Sequence, residues 1–158
     1  MTASLPPIHT RPNEHAVREL LTAAGLPVAD LTAAHLVNFW GCDDGANLIG
    51  VVGLEVYGTD ALLRSLAVAL DWQGWGLGAA LLAHAEQAAQ QRGVQVLYLL
   101  TTSAEAFFVR RGYIRIPRET APPILRQTAE FAALCPASAA CMTKRLAAPV
   151  GESDRGEA

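Results

Sequence analysis

The stretch LLRSLAVALDWQGWGLGAALLAHAEQAAQQR, residues 62–92, decides the fold of this chain. An apolar run comes first, glycines at alternate positions follow, and an alanine-rich segment completes the stretch. That order predicts a strand, a tight loop and a helix. Because glycine carries no Cβ, successive backbone N–H groups can converge on an anion at the helix start, where the helix dipole favours negative charge. The loop is therefore predicted to bind phosphate.

Two common phosphate loops fit this stretch poorly. A Walker-type loop closes with Gly-Lys-Ser/Thr, whereas this one closes with Gly-Ala-Ala at 78–80. Gly74, Gly76 and Ala79 satisfy the dinucleotide pattern G-x-G-x-x-G/A, but that pattern needs an acidic residue at the end of the next strand. The next predicted strand ends at Thr101 without a carboxylate, so the dinucleotide interpretation is disfavoured.

A third pattern includes the glutamine before the glycines. Gln73-x-x-Gly76-x-Gly78, directly after the apolar run, resembles the acetyl-CoA pyrophosphate loop of the GNAT family of N-acetyltransferases. Downstream, AEAFFVRRGY at 104–113 is similar to the family's A-x-x-F-Y-x-x-x-G-F segment, at a distance that leaves room for one helix and one strand. The two segments together make the resemblance far more specific than either alone.

The resemblance implies an α/β GNAT fold, with a mixed and mostly antiparallel sheet splayed at its fourth and fifth strands and flanked by helices. It implies direct acetyl transfer from acetyl-CoA to the amine of a small molecule, without a metal, and homodimers are common in the family. The residues implied to bind the cofactor are Leu66, Ala67, Val68, Gln73, Gly74, Trp75, Gly76, Leu77, Gly78, Ala79, Phe107, Phe108 and Arg111.

The chain departs from the family pattern at two positions. Phe108 stands where many members carry a tyrosine thought to protonate the departing thiolate, so that role passes to water, to Tyr113 or to no group. Trp75 replaces a residue that is often basic, which leaves less charge for the pyrophosphate. Phe108 therefore keeps open a second hypothesis, a catalytically silent domain that binds acetyl-CoA as a regulatory ligand.

Charged residues inside apolar strands are the candidates for acceptor chemistry. Glu55 is the candidate general base or amine binder, because a carboxylate in so apolar a run is costly to bury unless it is paired or used. Arg64 is a candidate clamp for an acceptor anion, and Ser65 adds a hydrogen bond. A solvent-facing Glu55 and a surface Arg64 are the alternatives.

A narrower resemblance concerns the acceptor. The segments at 53–55, 61–78 and 131–142 are similar to a GNAT subgroup associated with arsenic resistance. That subgroup implies acetylation of the α-amine of amino acids with an arsinic or phosphinic group, such as arsinothricin or phosphinothricin. Cys135 and Cys141 also permit a less favoured hypothesis, an arsenite-binding protein, because soft thiolates favour soft centres.

Composition limits the other function classes. The 158 residues suit one domain over 1–146, with 147–158 as a disordered tail. With 12 basic and 15 acidic residues, the chain lacks the basic surface that nucleic acid or anionic membrane requires. The sequence shows no signal peptide or membrane span, so a cytoplasmic location is expected, and its three cysteines are expected to be reduced. The four histidines show no ligand spacing and are expected at the surface or in caps.

The remaining predictions concern the order of elements. We expect an edge strand around Ile8, and an amphipathic helix that starts at Asn13 and closes at Gly25. The further predicted strands are 35–42, 48–57, 61–70, 94–101, 113–117 and 138–146. A helix is predicted at 76–92, and a short helix is predicted to open with a capping box at 102–105. A further helix is predicted to begin at Pro122 and Pro123, with Ile124, Thr128 and Phe131 on one face.

Overall fold

A computed structural model describes residues 4–147 and has the predicted mixed α/β architecture. Seven strands form one sheet in the order β1-β2-β3-β4-β5-β7-β6. The strands are β1 Ile8–Thr10, β2 Phe39–Asp43, β3 Leu48–Tyr57, β4 Asp60–Val68, β5 Val96–Thr101, β6 Ile114–Ile116 and β7 Ala140–Arg145. The helices are α1 Glu14–Ala23, α2 Ala33–Leu36, α3 Leu77–Gln91, α4 Glu105–Val109 and α5 Pro123–Arg126. The expected tail from residue 148 onward lies outside the described residues.

Most pairings in the sheet are antiparallel, and one is parallel. β1 pairs with β2, β2 with β3, β5 with β7, and β6 with β7, all antiparallel. β4 and β5 are parallel, with Asp60–Leu62 facing Val96, Leu97 and Tyr98. A parallel pair requires a crossover, which α3 supplies as the sequence predicted. The register with β5 covers the first three residues of the nine in β4.

The described chain forms two compact units. The first comprises the residues up to Glu55 together with Leu63–Ala85, and the second comprises Val56–Leu62 together with the residues from Glu86 onward. In the first unit, α1 begins at its cap Asn13, whose side chain accepts a hydrogen bond from Ala16 N. The core of the first unit includes Val17, Leu21, Leu31, Leu36, Phe39, Val51 and Ala67. The core of the second unit includes Leu62, Ala121, Leu125, Phe131 and Cys141.

Two local predictions, a strand start and a helix cap, were wrong. The strand predicted from His35 begins at Phe39, because Thr32 and His35 cap the short helix α2. No side chain of Thr102 or Ser103 caps α4, and Thr101 Oγ1 accepts the hydrogen bond of Ala104 N instead.

The predicted long helix after Pro122 was also incorrect. α5 spans four residues, and a separate π-helical segment follows at Glu130–Leu134. The predicted common face is therefore divided, since Ile124 in α5 is 48% exposed while its neighbour Leu125 is buried. Thr128 and Phe131 are both buried. Within residues 4–147, no helix combines the length and apolarity that crossing a bilayer requires.

Candidate functional site

The glycine loop connects β4 to α3 through a short 3-10 turn at Leu70–Trp72. Gly74 and Gly76 have φ values of 87° and 86°, a conformation that L side chains rarely adopt. A Cβ on either glycine would meet no atom within 4 Å, so a ligand can approach the backbone on that side. α3 begins at Leu77, immediately after the loop. Since the first N–H groups of a helix have no intrahelical partner, the loop has the features of an anion site.

Two neighbouring side chains shape this loop. The amide of Gln73 donates a hydrogen bond of 3.2 Å to the carbonyl oxygen of Val68, which ties the loop to the end of β4. Trp75 is 58% exposed, and its ring centroid lies 6.3 Å from that of Trp72 with the rings tilted by 51°. The loop therefore presents aromatic surface where a basic residue is common in the family.

The strand that leads into the loop changes its burial pattern at Ser65. Ser65 has a φ of 60°, which costs free energy for a residue other than glycine. The residues at 61–65 are all buried, and half-buried and buried residues alternate only beyond Ser65. Leu66 and Val68 are half-buried while Ala67 is buried. The strained residue thus stands directly before the segment predicted to pair with the pantetheine arm.

Arg64 is the centre of a buried ionic cluster within the first unit. Its Nη1 donates hydrogen bonds of 2.6 Å to Asp30 Oδ2 and to Glu55 Oε2, and its Nη2 donates one of 2.9 Å to Asp30 Oδ1. Its Nε donates to Ser65 Oγ at 3.0 Å. The side chain of Arg64 has no exposed surface, whereas those of Asp30 and Glu55 are 15% and 12% exposed. Arg64, predicted to clamp an acceptor anion, therefore has two carboxylate partners within the chain.

His35 borders the same cluster. Its Nδ1 accepts a hydrogen bond of 3.2 Å from the backbone N–H of Thr32. His35 therefore has a capping role, one of the two roles expected for the histidines. Because a backbone N–H can only donate, the proton of the neutral ring is on Nε2. Nε2 lies 3.7 Å from Glu55 Oε2 and 4.0 Å from Asp30 Oδ2. In this tautomer His35 presents a polar N–H to the two carboxylates.

The charges of the cluster do not cancel. Burial acts to raise the pKa of Asp30, but the hydrogen bond and the positive charge of Arg64 outweigh it and hold that pKa below its usual value. Two carboxylates face one guanidinium, so the formal charges of Asp30, Glu55 and Arg64 sum to one negative charge. The donor atoms of Asp30, His35 and Glu55 lie within 4.8 Å of one another, a spacing that metal ions also accept. Arg64 already provides a cation at this position.

The aromatic segment of the second unit is packed against its own neighbours. Phe108 is 5% exposed and contacts Phe107 and Tyr113 edge-on, at centroid distances of 5.1 and 5.4 Å. Arg111 lies 3.9 Å from the centroid of the Phe107 ring and donates to the carbonyl oxygen of Phe107. The hydroxyl of Tyr113 donates a hydrogen bond of 2.7 Å to Glu86. Tyr113 is 1% exposed, and burial followed by the charge of Glu86 raises its pKa.

Sequence reasoning did not find Asp30 as a member of the site, and it treated His35 only as a surface or capping residue. Asp30 lies 34 residues before Arg64, in a loop without a local pattern that points to an ionic contact. The charge of Arg64 in an apolar strand was the available signal that a buried anion must lie nearby. Glu86 was also missed, although it bonds both Tyr113 and Lys144.

The fold and the glycine loop together define a class of protein. The family model described as "Acetyltransferase (GNAT) domain" matches residues 35–115, just over half of the 158 residues. The chain belongs to this family. It is 32% identical over 89 residues to an amino-acid acetyltransferase of Ralstonia nicotianae, and 33% identical over 89 residues to an uncharacterized N-acetyltransferase of Chlorobaculum tepidum. These matches cover 55% and 56% of this chain, but only 20% and 57% of the respective relatives.

Solved structures show the same fold. N-acetylglutamate synthase from Neisseria gonorrhoeae, solved with coenzyme A and N-acetyl-glutamate, superimposes with a TM-score of 0.77 at 20% identity. That match covers 92% of this chain and 36% of the synthase. A Mycobacterium tuberculosis protein solved with CoA gives a TM-score of 0.73 at 21% identity, and covers 90% of this chain and 100% of the other. At these identities the likeness establishes the fold.

Proposed function

We propose that this chain is an N-acetyltransferase that transfers the acetyl group of acetyl-CoA to the amine of a small molecule. The observation that carries the proposal is the glycine loop, in which two positive-φ glycines open the backbone directly before the first turn of α3. Such a loop binds phosphate through backbone N–H groups and the helix dipole, without a lysine. Membership of the GNAT family identifies the phosphate ligand as coenzyme A.

On the donor side, the loop at 73–79 binds the pyrophosphate. The backbone of Leu66 and Val68 pairs with the pantetheine arm, and the N–H groups of the same strand polarise the acetyl carbonyl. The half-buried state of Leu66 and Val68 is compatible with this role. Phe107, Phe108 and Arg111 are proposed as cofactor contacts of the second unit, where Arg111 is held on the ring of Phe107.

On the acceptor side, the net negative charge around Glu55 favours a positively charged group. An ammonium group is attracted to two partly exposed carboxylates, of which Arg64 neutralises only one charge. We therefore assign amine recognition to Glu55 with Asp30. The finer proposal is an amino acid that carries an arsinic or phosphinic group. Since Arg64 is held by Asp30 and Glu55, an anion of that acceptor binds Arg64 only if it displaces a carboxylate.

The proposed chemistry is a direct attack. The neutral amine nitrogen forms a bond to the thioester carbon, the C–S bond breaks, and CoA leaves as a thiolate. Glu55 first accepts, through a water molecule, the proton that converts the bound ammonium into this neutral amine. After the attack, the acylated nitrogen loses a second proton, which water relays to the thiolate. Phe108 has no proton to give, and the hydroxyl of Tyr113 is buried and bonded to Glu86. We propose that water protonates the thiolate, which is already a tolerable leaving group.

The test is the release of free thiol from acetyl-CoA in the presence of single amines, with the product identified by mass. The panel contains glutamate, arsinothricin, phosphinothricin, a polyamine and an aminoglycoside. We expect turnover with amino acids, and a lower kcat in Glu55→Gln with the pH profile shifted. Glu14→Gln is the matched control, because Glu14 forms an exposed helical pair with Arg18 and is expected to leave turnover unchanged.

The outcomes separate the hypotheses. Binding of acetyl-CoA without turnover of any amine contradicts the proposal and supports the silent regulatory domain. If polyamines react and amino acids do not, the proposed amino-acid acceptor is wrong while acetyl transfer holds. The arsenite-binding hypothesis gains little from the thiols, because burial raises the pKa of Cys141 to about 11 and thus disfavours the thiolate that would bind arsenic.

A further inference from the structure

A cavity of about 220 Å³ adjoins the glycine loop within the first unit. Five residues line it: Ser4, Leu5, Asp71, Trp72 and Trp75. We propose that this cavity binds the purine ring of the cofactor. The inference rests on the proposed function, since it assigns a role to the nucleotide end of the same acetyl-CoA molecule.

The size and lining of the cavity suit one flat ring system. Cavities that hold drug-sized ligands usually measure roughly 300–1,000 Å³, so a space of 220 Å³ fits a smaller group. The indole rings of Trp72 and Trp75 are inclined at 51° with centroids 6.3 Å apart, so they form a cluster of aromatic surface rather than a parallel stack. Every nucleobase has a π-face that stacks on such rings.

The polar group in the lining distinguishes a purine from an aliphatic occupant. Asp71 belongs to the lining, and carboxylate oxygens accept hydrogen bonds from an exocyclic amino group. An adenine ring has such a group, whereas a hydrocarbon chain has none. The exposure of Trp75, 58% of its surface, is costly in water and is relieved when a base covers the ring.

Position along the chain connects the cavity to a phosphate ligand. Trp75 stands between Gly74 and Gly76, the two glycines that open the backbone to an anion. A nucleotide whose phosphate lies on the glycine loop therefore has its base within reach of the adjacent indole. The cavity accordingly explains why an aromatic residue replaces the basic residue often found in this loop. Stacking of the purine on the indole of Trp75 takes the place of the attraction between a basic side chain and the phosphate.

The first test separates the base from the phosphate. Adenosine 3′,5′-bisphosphate is titrated against the full chain by tryptophan fluorescence, with Trp40→Phe as the background because Trp40 is buried and remote in sequence from the loop. Quenching that saturates is expected, and 5-phosphoribose, which lacks the base, is expected to give none. In Trp75→Leu, the affinity for adenosine 3′,5′-bisphosphate is expected to fall by about fivefold to 150-fold, the range that corresponds to the loss of one stacked base.

The second test uses turnover. The ratio of kcat/KM for acetyl-CoA to that for acetyl-phosphopantetheine, which lacks the nucleoside, is expected to fall in Trp72→Leu and in Trp75→Leu. An unchanged ratio with unchanged quenching overturns the inference. If neither donor is used but the bisphosphate still quenches, the proposed function fails and the purine site survives. If Trp75→Leu changes only the sedimentation coefficient, the aromatic surface is a contact between copies of the chain and the purine assignment is wrong.

Discussion

Replacement of Arg64 by methionine tests the buried ionic cluster. The change keeps an unbranched side chain but removes the guanidinium that bonds both Asp30 and Glu55. Removal of one partner from a buried pair costs about 3–5 kcal/mol, because the remaining charges stay in a medium of low dielectric constant. Asp30 and Glu55 retain 15% and 12% side-chain exposure, so we expect the lower end of that range.

The assay is urea unfolding, with thermal unfolding as a second probe. A loss of about 3 kcal/mol is a large part of the typical 5–15 kcal/mol of a folded domain and corresponds to a fall of about 6–12 °C in Tm. Arg64→Lys keeps the charge without the planar fork, and we expect a loss of about 1–2 kcal/mol. Arg115→Ala is the control, since its pair with Glu105 is exposed at 62% and 41% and should change stability by less than about 1 kcal/mol.

The pH dependence provides an internal check. In the wild type, the lowered pKa of Asp30 means that its pair stabilises the chain at neutral pH and that this contribution is lost as the pH falls through the lowered pKa. In Arg64→Met, burial and the nearby carboxylate act to raise the pKa of Asp30. Protonation of Asp30 then removes an unpaired buried charge and stabilises the folded variant. The difference in free energy of unfolding between the wild type and Arg64→Met should therefore become smaller as the pH falls from about 7 to about 4.5. The role of Arg64 in the buried cluster is refuted if Arg64→Met loses no more stability than Arg115→Ala, or if its loss does not change with pH.

Three further predictions follow from single contacts. Cys135, half-exposed, should react with a disulfide reagent at pH 8 before Cys141, because burial raises the pKa of Cys141 to about 11 and keeps its thiol protonated; equal rates would contradict this. Tyr113→Phe should cost about 1.5–3 kcal/mol at pH 7, the range for a hydrogen bond to a charged group such as Glu86. Because the pKa of Tyr113 is raised in the folded chain, the wild type should lose stability as the pH rises above about 10. Tyr113→Phe lacks this hydroxyl, so its free energy of unfolding should fall less over the same pH range. Asn13→Ala should lower the stability by about 1 kcal/mol through loss of the α1 cap, and an unchanged urea midpoint would rule this out.

Local patterns predicted the elements that are fixed by local chemistry. Asn13 is the cap of α1, Gly45 has a φ of 101° in the β2–β3 hairpin, and Gly93 has a φ of 84° just beyond the end of α3. In each case one residue type satisfies a backbone requirement nearly by itself. The glycine loop was found for the same reason.

Other features depend on residues far apart in sequence. Asp30 meets Arg64 across 34 residues, and no periodicity in either segment records that contact. At α2, an apolar run that favoured a strand was overridden by the cap between Thr32 and His35. At α5, the helix ends at Arg126, so the predicted common face of Ile124, Thr128 and Phe131 is not continuous. In both helices the deciding interactions are caps and packing that the hydrophobic pattern does not record.

The central claim is that the glycine loop binds the pyrophosphate of acetyl-CoA. Calorimetric titration of acetyl-CoA into the wild type, Gly76→Ala and Gly93→Ala tests it most directly. Gly93 is the matched control, because its φ of 84° is close to the 86° of Gly76 and a Cβ on either residue would meet open space. Gly93 follows the opposite end of α3. We expect Gly76→Ala to weaken binding by at least about tenfold, equivalent to about 1.4 kcal/mol, and Gly93→Ala to bind as the wild type does. Failure of the wild type to bind acetyl-CoA, or equal weakening in the two variants, would contradict the claim.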